Sequence, residues 1–184
     1  ADYTDEQMMD VRRAEQKKAA VIGEYAAQFL LNYASSELRD PENPDPLADL
    51  VDILQASKPQ FVYTHNFADK HTTHIGAASR AVEAIREMDA ADRPEKLFGC
   101  EVWRDLDWVL DSDKVQFDVA GHENLEMALL GVFDSQDIGG KRYDLATLGR
   151  RRAHATYAES HGVDVTESMI FAMDLTPLIE DDDA

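Results

Sequence analysis

An α/β domain, in which helices flank a largely parallel sheet, is the fold class that the sequence predicts. Segments with the helical spacing of apolar residues alternate with short apolar runs of strand length. The chain has 184 residues, of which 44% are hydrophobic, and this is enough to bury one core. We therefore expect a single domain over residues 1–179, followed by an acidic tail, EDDDA, at 180–184.

The first half of the chain predicts two helices and a strand. Residues 5–33 carry apolar side chains at helical spacing and predict one long helix. The loop RDPENPDP at 39–46 contains three prolines, and a short helix follows at about 47–57. The run KPQFVYT at 58–64 predicts a buried strand that is entered from a proline turn, and we expect it to lie in the interior of the sheet.

The second half continues the alternation of helices and strands. Small residues follow the histidines at 71 and 74 and predict a helix that packs closely on the sheet. The predicted helices span 75–88, 122–136 and 143–160, and the predicted strands span 96–103, 114–119 and 168–176.

Charge and cysteine content exclude several classes of partner. Acidic residues outnumber Lys plus Arg by 37 to 18, for a net charge of −19. We expect neither nucleic acid nor a membrane as a partner, because binding to phosphates requires clustered Lys and Arg. Cys100 is the only cysteine, so no internal disulfide can form and a reducing, cytoplasmic location is expected.

Three of the six histidines lie in one short stretch, THNFADKHTTH, at residues 64–74. Neutral imidazole is a common zinc ligand, so His71 and His74 could act together at a metal site. Asp69 could orient one of these rings without binding the metal itself. A polar loop that is rich in histidine explains the same spacing, and residue types alone leave both interpretations open.

Three segments, taken together, resemble a known family. KPQFVYTHNFADKHTTHIGAASRAVEAI is similar to a block of the PIG-L/LmbE-like zinc-dependent N-deacetylases, where a strand ending in Thr-His precedes an Asp-x-His-x-x-His block and a helix. RRAEQKKAAVIG resembles the family's Arg-x-x-Glu helix, and FDVAGHENLEMALLGVFDSQ resembles its strand and helix ending in Ser-Gln. The resemblance implies a Rossmann-like α/β fold and removal of an acetyl group from an N-acetylated sugar or related amine.

The resemblance also implies roles for three residues of the histidine stretch. His74 would be a ligand of zinc or of another divalent metal. His71 would be catalytic, because it would stabilise the oxyanion or protonate the leaving amine, and we place Asp69 with it. The implied reaction is attack on the amide by zinc-activated water.

Substrate binding is assigned to two further residues. The Arg-x-x-Glu helix implies that Arg12 holds the substrate, with Arg13 as the fallback. His65, at the end of the predicted strand, is the second candidate. The implied partner is a small N-acetylated molecule.

The chain departs from the family pattern in three places. Thr72 and Thr73 stand where the family has Pro-Asp, and Asp134 stands where a histidine is expected before Ser-Gln. The family's His-x-Asp-Asp motif would supply two zinc ligands and the general base. The sequence contains no such motif. We therefore expect that the first βαβ unit is missing, and that the edge of strand FVYT is covered by the rest of a longer protein or by a homo-oligomer. A non-catalytic relative that binds a ligand or partner is the alternative function.

Overall fold

A computed structural model describes residues 3–138 and 140–180 of the chain. It confirms the α/β class, with one open four-stranded sheet flanked by helices. Of the expected acidic tail, residues 181–184 lie outside the described residues.

The regular elements differ from the predicted ones mainly at their ends. The helices and strands, in chain order, are α1 (Asp5–Ile22), α2 (Ser35–Arg39), α3 (Asp45–Ser57), β1 (Phe61–His65), α4 (Thr72–Arg86), β2 (Lys96–Cys100), β3 (Lys114–Asp118), α5 (Glu123–Gly131), α6 (Asp134–Asp137), α7 (Tyr143–Tyr157), β4 (Met169–Asp174) and α8 (Pro177–Glu180). A single turn of 3₁₀ helix at Ala90–Asp92 precedes β2. None of the described helices is both long and apolar enough to cross a membrane.

Two compact units make up the chain. One consists of Ala1–Leu30 and Asp118–Met169, and the other of Leu31–Phe117 and Ile170–Ala184. Of the three boundaries between them along the chain, two fall within strands, at the end of β3 and at the start of β4. A single domain over residues 1–179 stays a prediction.

Helix α1 is shorter than its apolar pattern predicts. Its start is fixed by Thr4, whose hydroxyl oxygen accepts a hydrogen bond from Gln7 N at 3.2 Å, while the Gln7 side chain accepts one from Thr4 N. At its other end, Gly23 caps the helix and Glu24 takes a positive φ of 53°. This backbone turn ends the helix at Ile22, although the apolar spacing continues to residue 30, because periodicity does not report a change of backbone direction.

The sheet corrects two expectations. Its strand order is β1-β2-β4-β3, which places β1 at an edge and not in the interior. The sheet is also mixed: β1 and β2 are parallel, from Phe61 beside Lys96 to His65 beside Cys100, whereas β4 is antiparallel to β2. Residues 101–113 join β2 to β3 without a helix, and β4 lies between these two strands in the sheet.

The core of the second unit lies on one face of this sheet. Leu97 of β2 packs with Val82 and Ile85 of α4 and with Leu175 and Ile179 after β4. Side chains alternate between faces along a strand. The opposite face accordingly presents a cluster of aromatic rings, in which Tyr63, Phe98 and Phe117 lie 5.1–5.8 Å apart. Tyr63 is 59% exposed, so this face is less well covered than the first.

Cys100 is expected to react slowly with thiol reagents. Burial, followed by the charge of Glu101, raises the pKa of Cys100 to about 11. At pH 8 only about one thiol in a thousand is then ionised, and the thiolate is the reactive form. Alkylation by iodoacetamide, followed by mass spectrometry, should be about 10²-fold slower in the folded protein than in guanidinium chloride. Equal rates in the two conditions would contradict this prediction.

Candidate functional site

The histidine stretch joins β1 to α4, within the second unit. His65 is the last residue of β1, and His71 is the residue that caps the N-terminus of α4. His74 lies in the first turn of that helix. Strand, loop and helix therefore bring the three imidazoles to the carboxyl end of the parallel pair β1–β2, which is where open α/β sheets bind ligands.

The three imidazole rings form a stack. The rings of His65 and His74 are 4.0 Å apart and nearly parallel, at 6°. Those of His71 and His74 are 4.7 Å apart at 26°. The sequence prediction that these residues lie together is therefore met in the structure, whereas their chemical roles remain predictions.

A buried carboxylate holds this cluster in place. Asp69 Oδ1 accepts a hydrogen bond from His71 N at 2.8 Å and lies 3.3 Å from His74 Nδ1. Its Oδ2 accepts a hydrogen bond from Trp103 N at 3.0 Å. Burial alone would raise the pKa of Asp69, but these backbone N–H groups and His74 lower it on balance. Asp69 is thus a fixed negative charge beside the imidazoles.

His71 has a defined tautomer when it is neutral. Its Nδ1 accepts a hydrogen bond from Thr73 N at 3.3 Å. In a neutral imidazole the other nitrogen then carries the proton. His71 can therefore offer an Nε2–H donor to a bound molecule.

Two buried imidazole nitrogens in the described part of the chain lack a hydrogen bond. They are Nδ1 of His65 and Nδ1 of His74; the latter lies within ion-pair range of Asp69 but outside hydrogen-bond geometry. Burial, and then the neighbouring His74, lowers the pKa of His65, so its ring is neutral at pH 7. An unsatisfied buried polar atom costs about 1–3 kcal/mol, and a neutral imidazole is the form that binds a metal.

The described residues fit part of a zinc site. His74 supplies an imidazole, and Asp69 supplies a carboxylate that can set the orientation and basicity of that ring. Within residues 3–138 and 140–180, no three His, Cys, Asp or Glu side chains are grouped closely enough to hold a metal ion. His74 therefore fits as one ligand of a centre that the described residues do not complete.

Asn66 holds the histidine loop in place, and the sequence analysis did not single it out. It is fully buried, and both its backbone N and its Nδ2 donate to Cys100 O, at 3.2 and 2.9 Å. Its Oδ1 accepts a hydrogen bond from Ala68 N. These bonds lock the start of the histidine loop to the end of β2. Asparagine directly after a strand is the signal that could have indicated such a turn.

Arg12 and Arg13, the candidates for substrate binding, lie on α1 in the other unit. Arg12 is exposed, and Arg13 Nη1 pairs with Asp10 at 3.1 Å. Three residues after Arg12, Glu15 is buried, and its carboxylate accepts hydrogen bonds from Ser135 N at 2.7 Å and Ser135 Oγ at 2.8 Å. The Arg-x-x-Glu and Ser-Gln segments are thus directly bonded to each other, and substrate binding by Arg12 stays a prediction.

Comparison with known proteins agrees with the sequence resemblance. Residues 1–85 match the model of the family PIG-L: GlcNAc-PI de-N-acetylase. No curated protein matches the chain. The Ser-Gln segment lies outside the matched residues, whereas the Arg-x-x-Glu helix and the histidine stretch lie within them.

Two solved structures share the fold. One is GalB, the 4-carboxy-2-hydroxymuconate hydratase from Pseudomonas putida KT2440, with 17% identity and a TM-score of 0.62 over 95% of this chain and 75% of that one. The other is the conserved protein TT1542 from Thermus thermophilus, with 22% identity and a TM-score of 0.64 over 87% of this chain and 72% of that one. Identities this low show the fold alone. The resemblance to the PIG-L/LmbE-like family is thus confirmed over residues 1–85.

Proposed function

We propose that the protein is a metal-dependent hydrolase that removes an acetyl group from an N-acetylated sugar or related amine. The observation that carries the proposal is the histidine cluster, with stacked imidazoles and two unbonded buried nitrogens, beside the ionised Asp69. The cluster lies at the carboxyl end of parallel strands and within the segment that matches the deacetylase family. A loop that is merely polar and rich in histidine would not need stacked imidazoles with buried, unbonded nitrogens.

His74 would hold zinc or another divalent metal, with Asp69 fixing the ring. When bound, zinc supplies Lewis acidity that activates water and polarises an amide carbonyl. Asp69 keeps its negative charge within 3.3 Å of His74 Nδ1, which favours both the ligand's orientation and the binding of a cation.

His71 would act on the charge that develops during amide hydrolysis. Its Nε2–H can donate to the carbonyl oxygen as that atom becomes negative. The C–N bond then breaks to give acetate and an amine, and the amine leaves only when it is protonated. Because Nδ1 accepts from Thr73 N, His71 would keep its Nε2 proton and stabilise the oxyanion by a hydrogen bond, and the amine would take up the proton that the attacking water releases.

The substrate would be held by His65 and Arg12. The neutral ring of His65 stacks on His74, and its buried Nδ1 can accept a hydrogen bond from a hydroxyl or amide group. For Arg12 the support is the family resemblance together with the exposure of its side chain on α1.

A non-catalytic domain that binds a ligand or partner is the second candidate. Thr73 favours it, because the family has an aspartate at this position and Thr73 offers no carboxylate to His71. A fold by itself does not fix a reaction. The reaction therefore has to be measured directly.

The test is acetate release from N-acetylglucosamine derivatives by the protein as the cell makes it. We expect release of acetate that stops when a chelator removes the metal and returns when zinc is added back. A protein that binds these compounds but releases no acetate with zinc, manganese or iron present would support the binding domain instead.

A further inference from the structure

An exposed apolar loop lies next to the histidine cluster. Residues 101–113 leave β2 at Cys100, which pairs with His65 in the parallel register. Large apolar side chains on this loop are more than a third exposed: Val102, Trp103, Trp108 and Leu110. Exposed apolar side chains next to polar groups are typical of ligand-binding surfaces.

Asp69 ties one of these residues to the cluster. Its two carboxylate oxygens are shared between the histidines and the loop: Oδ1 is bonded to His71 N, and Oδ2 accepts from Trp103 N. The carboxylate is also 3.3 Å from His74 Nδ1. A single buried side chain therefore fixes the backbone of Trp103 relative to the proposed catalytic imidazoles.

The loop is ordered on both sides of Trp103. Before it, Glu101 Oε1 accepts a hydrogen bond from Phe171 N at 3.1 Å. After it, Leu106 is fully buried, and its N donates to Glu101 Oε2 at 3.2 Å. An aromatic side chain on a fixed backbone loses little freedom when a ligand binds, which makes such residues effective contacts.

The charge of the loop indicates the chemistry of its ligand. Arg104 is the only basic side chain among residues 101–113, and its guanidinium lies 5.8 Å from the centre of the Trp108 ring. The acidic side chains of the same loop are Glu101, Asp105, Asp107, Asp111 and Asp113. This excess of negative charge disfavours an anionic group at Trp103, whereas an uncharged group meets no such repulsion.

We propose that Trp103 binds the substrate by stacking its indole on the uncharged pyranose ring of an N-acetylated sugar. This inference rests on the proposed function and names the part of the site that selects a sugar over other acetylated amines. The apolar face of C–H bonds on a pyranose matches a flat indole in size and polarity. Trp103 would thereby present the acetamido group to His71 and His74.

Fluorescence gives a test that does not depend on turnover. The chain has two tryptophans, so Trp108→Phe leaves Trp103 as the only indole, and Trp103→Phe leaves Trp108 as the matched control. Titration with N-acetylglucosamine should change the emission of Trp108→Phe in a saturable way and leave that of Trp103→Phe unchanged. No change in Trp108→Phe, or an equal change in both variants, would overturn the proposal.

Kinetics separate stacking from a structural role. Trp103→Ala should raise KM about tenfold, the loss expected for one aromatic contact, with kcat changed less than about twofold. Trp103→Phe should restore most of the affinity, and Trp108→Ala should leave KM unchanged. An unchanged KM in Trp103→Ala, or equal effects of Trp103→Ala and Trp108→Ala, would contradict the proposal.

The two proposals fail in different ways. If the protein releases acetate but Trp103 shows neither the fluorescence change nor the effect on KM, stacking is wrong and the deacetylase stands. If no acetate is released but N-acetylglucosamine still changes Trp103 emission, the sugar contact stands and the hydrolase is wrong. If Trp103→Ala does not fold, the two phenylalanine variants still decide the matter.

Discussion

Replacement of His74 by alanine is expected to abolish tight metal binding, and with it activity. His74 is the proposed ligand, and its ring is held between the stacked His65 and the carboxylate of Asp69. Loss of a residue that merely orients a ligand already costs about 10–100-fold in metal affinity, so loss of the ligand itself should cost more than about 100-fold. Zinc content after dialysis, measured by elemental analysis, checks this result.

His161→Ala is the matched control for this change. His161 is an exposed histidine of the other unit, so its removal tests whether any surface imidazole affects zinc content. Full retention of zinc by His74→Ala, with or without activity, would show that His74 is not a ligand.

Replacement of His71 by alanine is expected to slow turnover about 10²–10³-fold while zinc content stays unchanged. The Nε2–H of His71 would act on negative charge that is present only in the transition state, so its loss should lower kcat more than it raises KM. The bond from the backbone N–H of residue 71 to Asp69 does not need the imidazole and is expected to persist, whereas the cap on Thr73 N is lost.

The comparison of His71→Ala with His74→Ala distinguishes their roles. Loss of zinc from His71→Ala together with its retention in His74→Ala would show that the two roles are reversed. If both variants kept their zinc and their full activity, the stretch would be a polar loop that is rich in histidine and not a metal site.

Local sequence patterns were sufficient to predict the centre of the candidate site. A strand that ends at residue 65, a short polar loop and a helix that starts next to His71 force the imidazoles to one end of the sheet. Asp69 lies inside the same loop, so its contact with His71 is also local. Each of these relations spans fewer than ten residues and depends on backbone geometry that the residue types specify.

Relations between distant segments were not predictable in the same way. The bond from Trp103 N to Asp69 joins residues 34 positions apart, and it exists only because β2 is parallel to β1 in one register. The edge position of β1 follows from strand order, on which the apolar pattern of FVYT carries no information. The end of α1 at Gly23 depends on the positive φ of Glu24. Positive φ is uncommon for residues other than glycine, so a glutamate in the sequence does not predict it.

The association state of the protein depends on the outer edge of β1. In the described part of the chain this edge has no strand partner, and open edges favour association. Coverage by the rest of a longer protein or by a homo-oligomer therefore remains a prediction. Analytical ultracentrifugation of the 184-residue chain tests the homo-oligomer, because sedimentation as a single monomeric species would contradict it.

The most direct test of the metal centre is an anomalous difference map from crystals of the full-length protein grown with zinc. Data collected above and below the zinc absorption edge locate the metal independently of any activity. We predict a strong peak within about 2.0–2.1 Å of an imidazole nitrogen of His74, at the end of β1 next to Asp69. A strong zinc peak elsewhere, with His74 bonded only to protein or water, would contradict the assignment of His74 as a metal ligand.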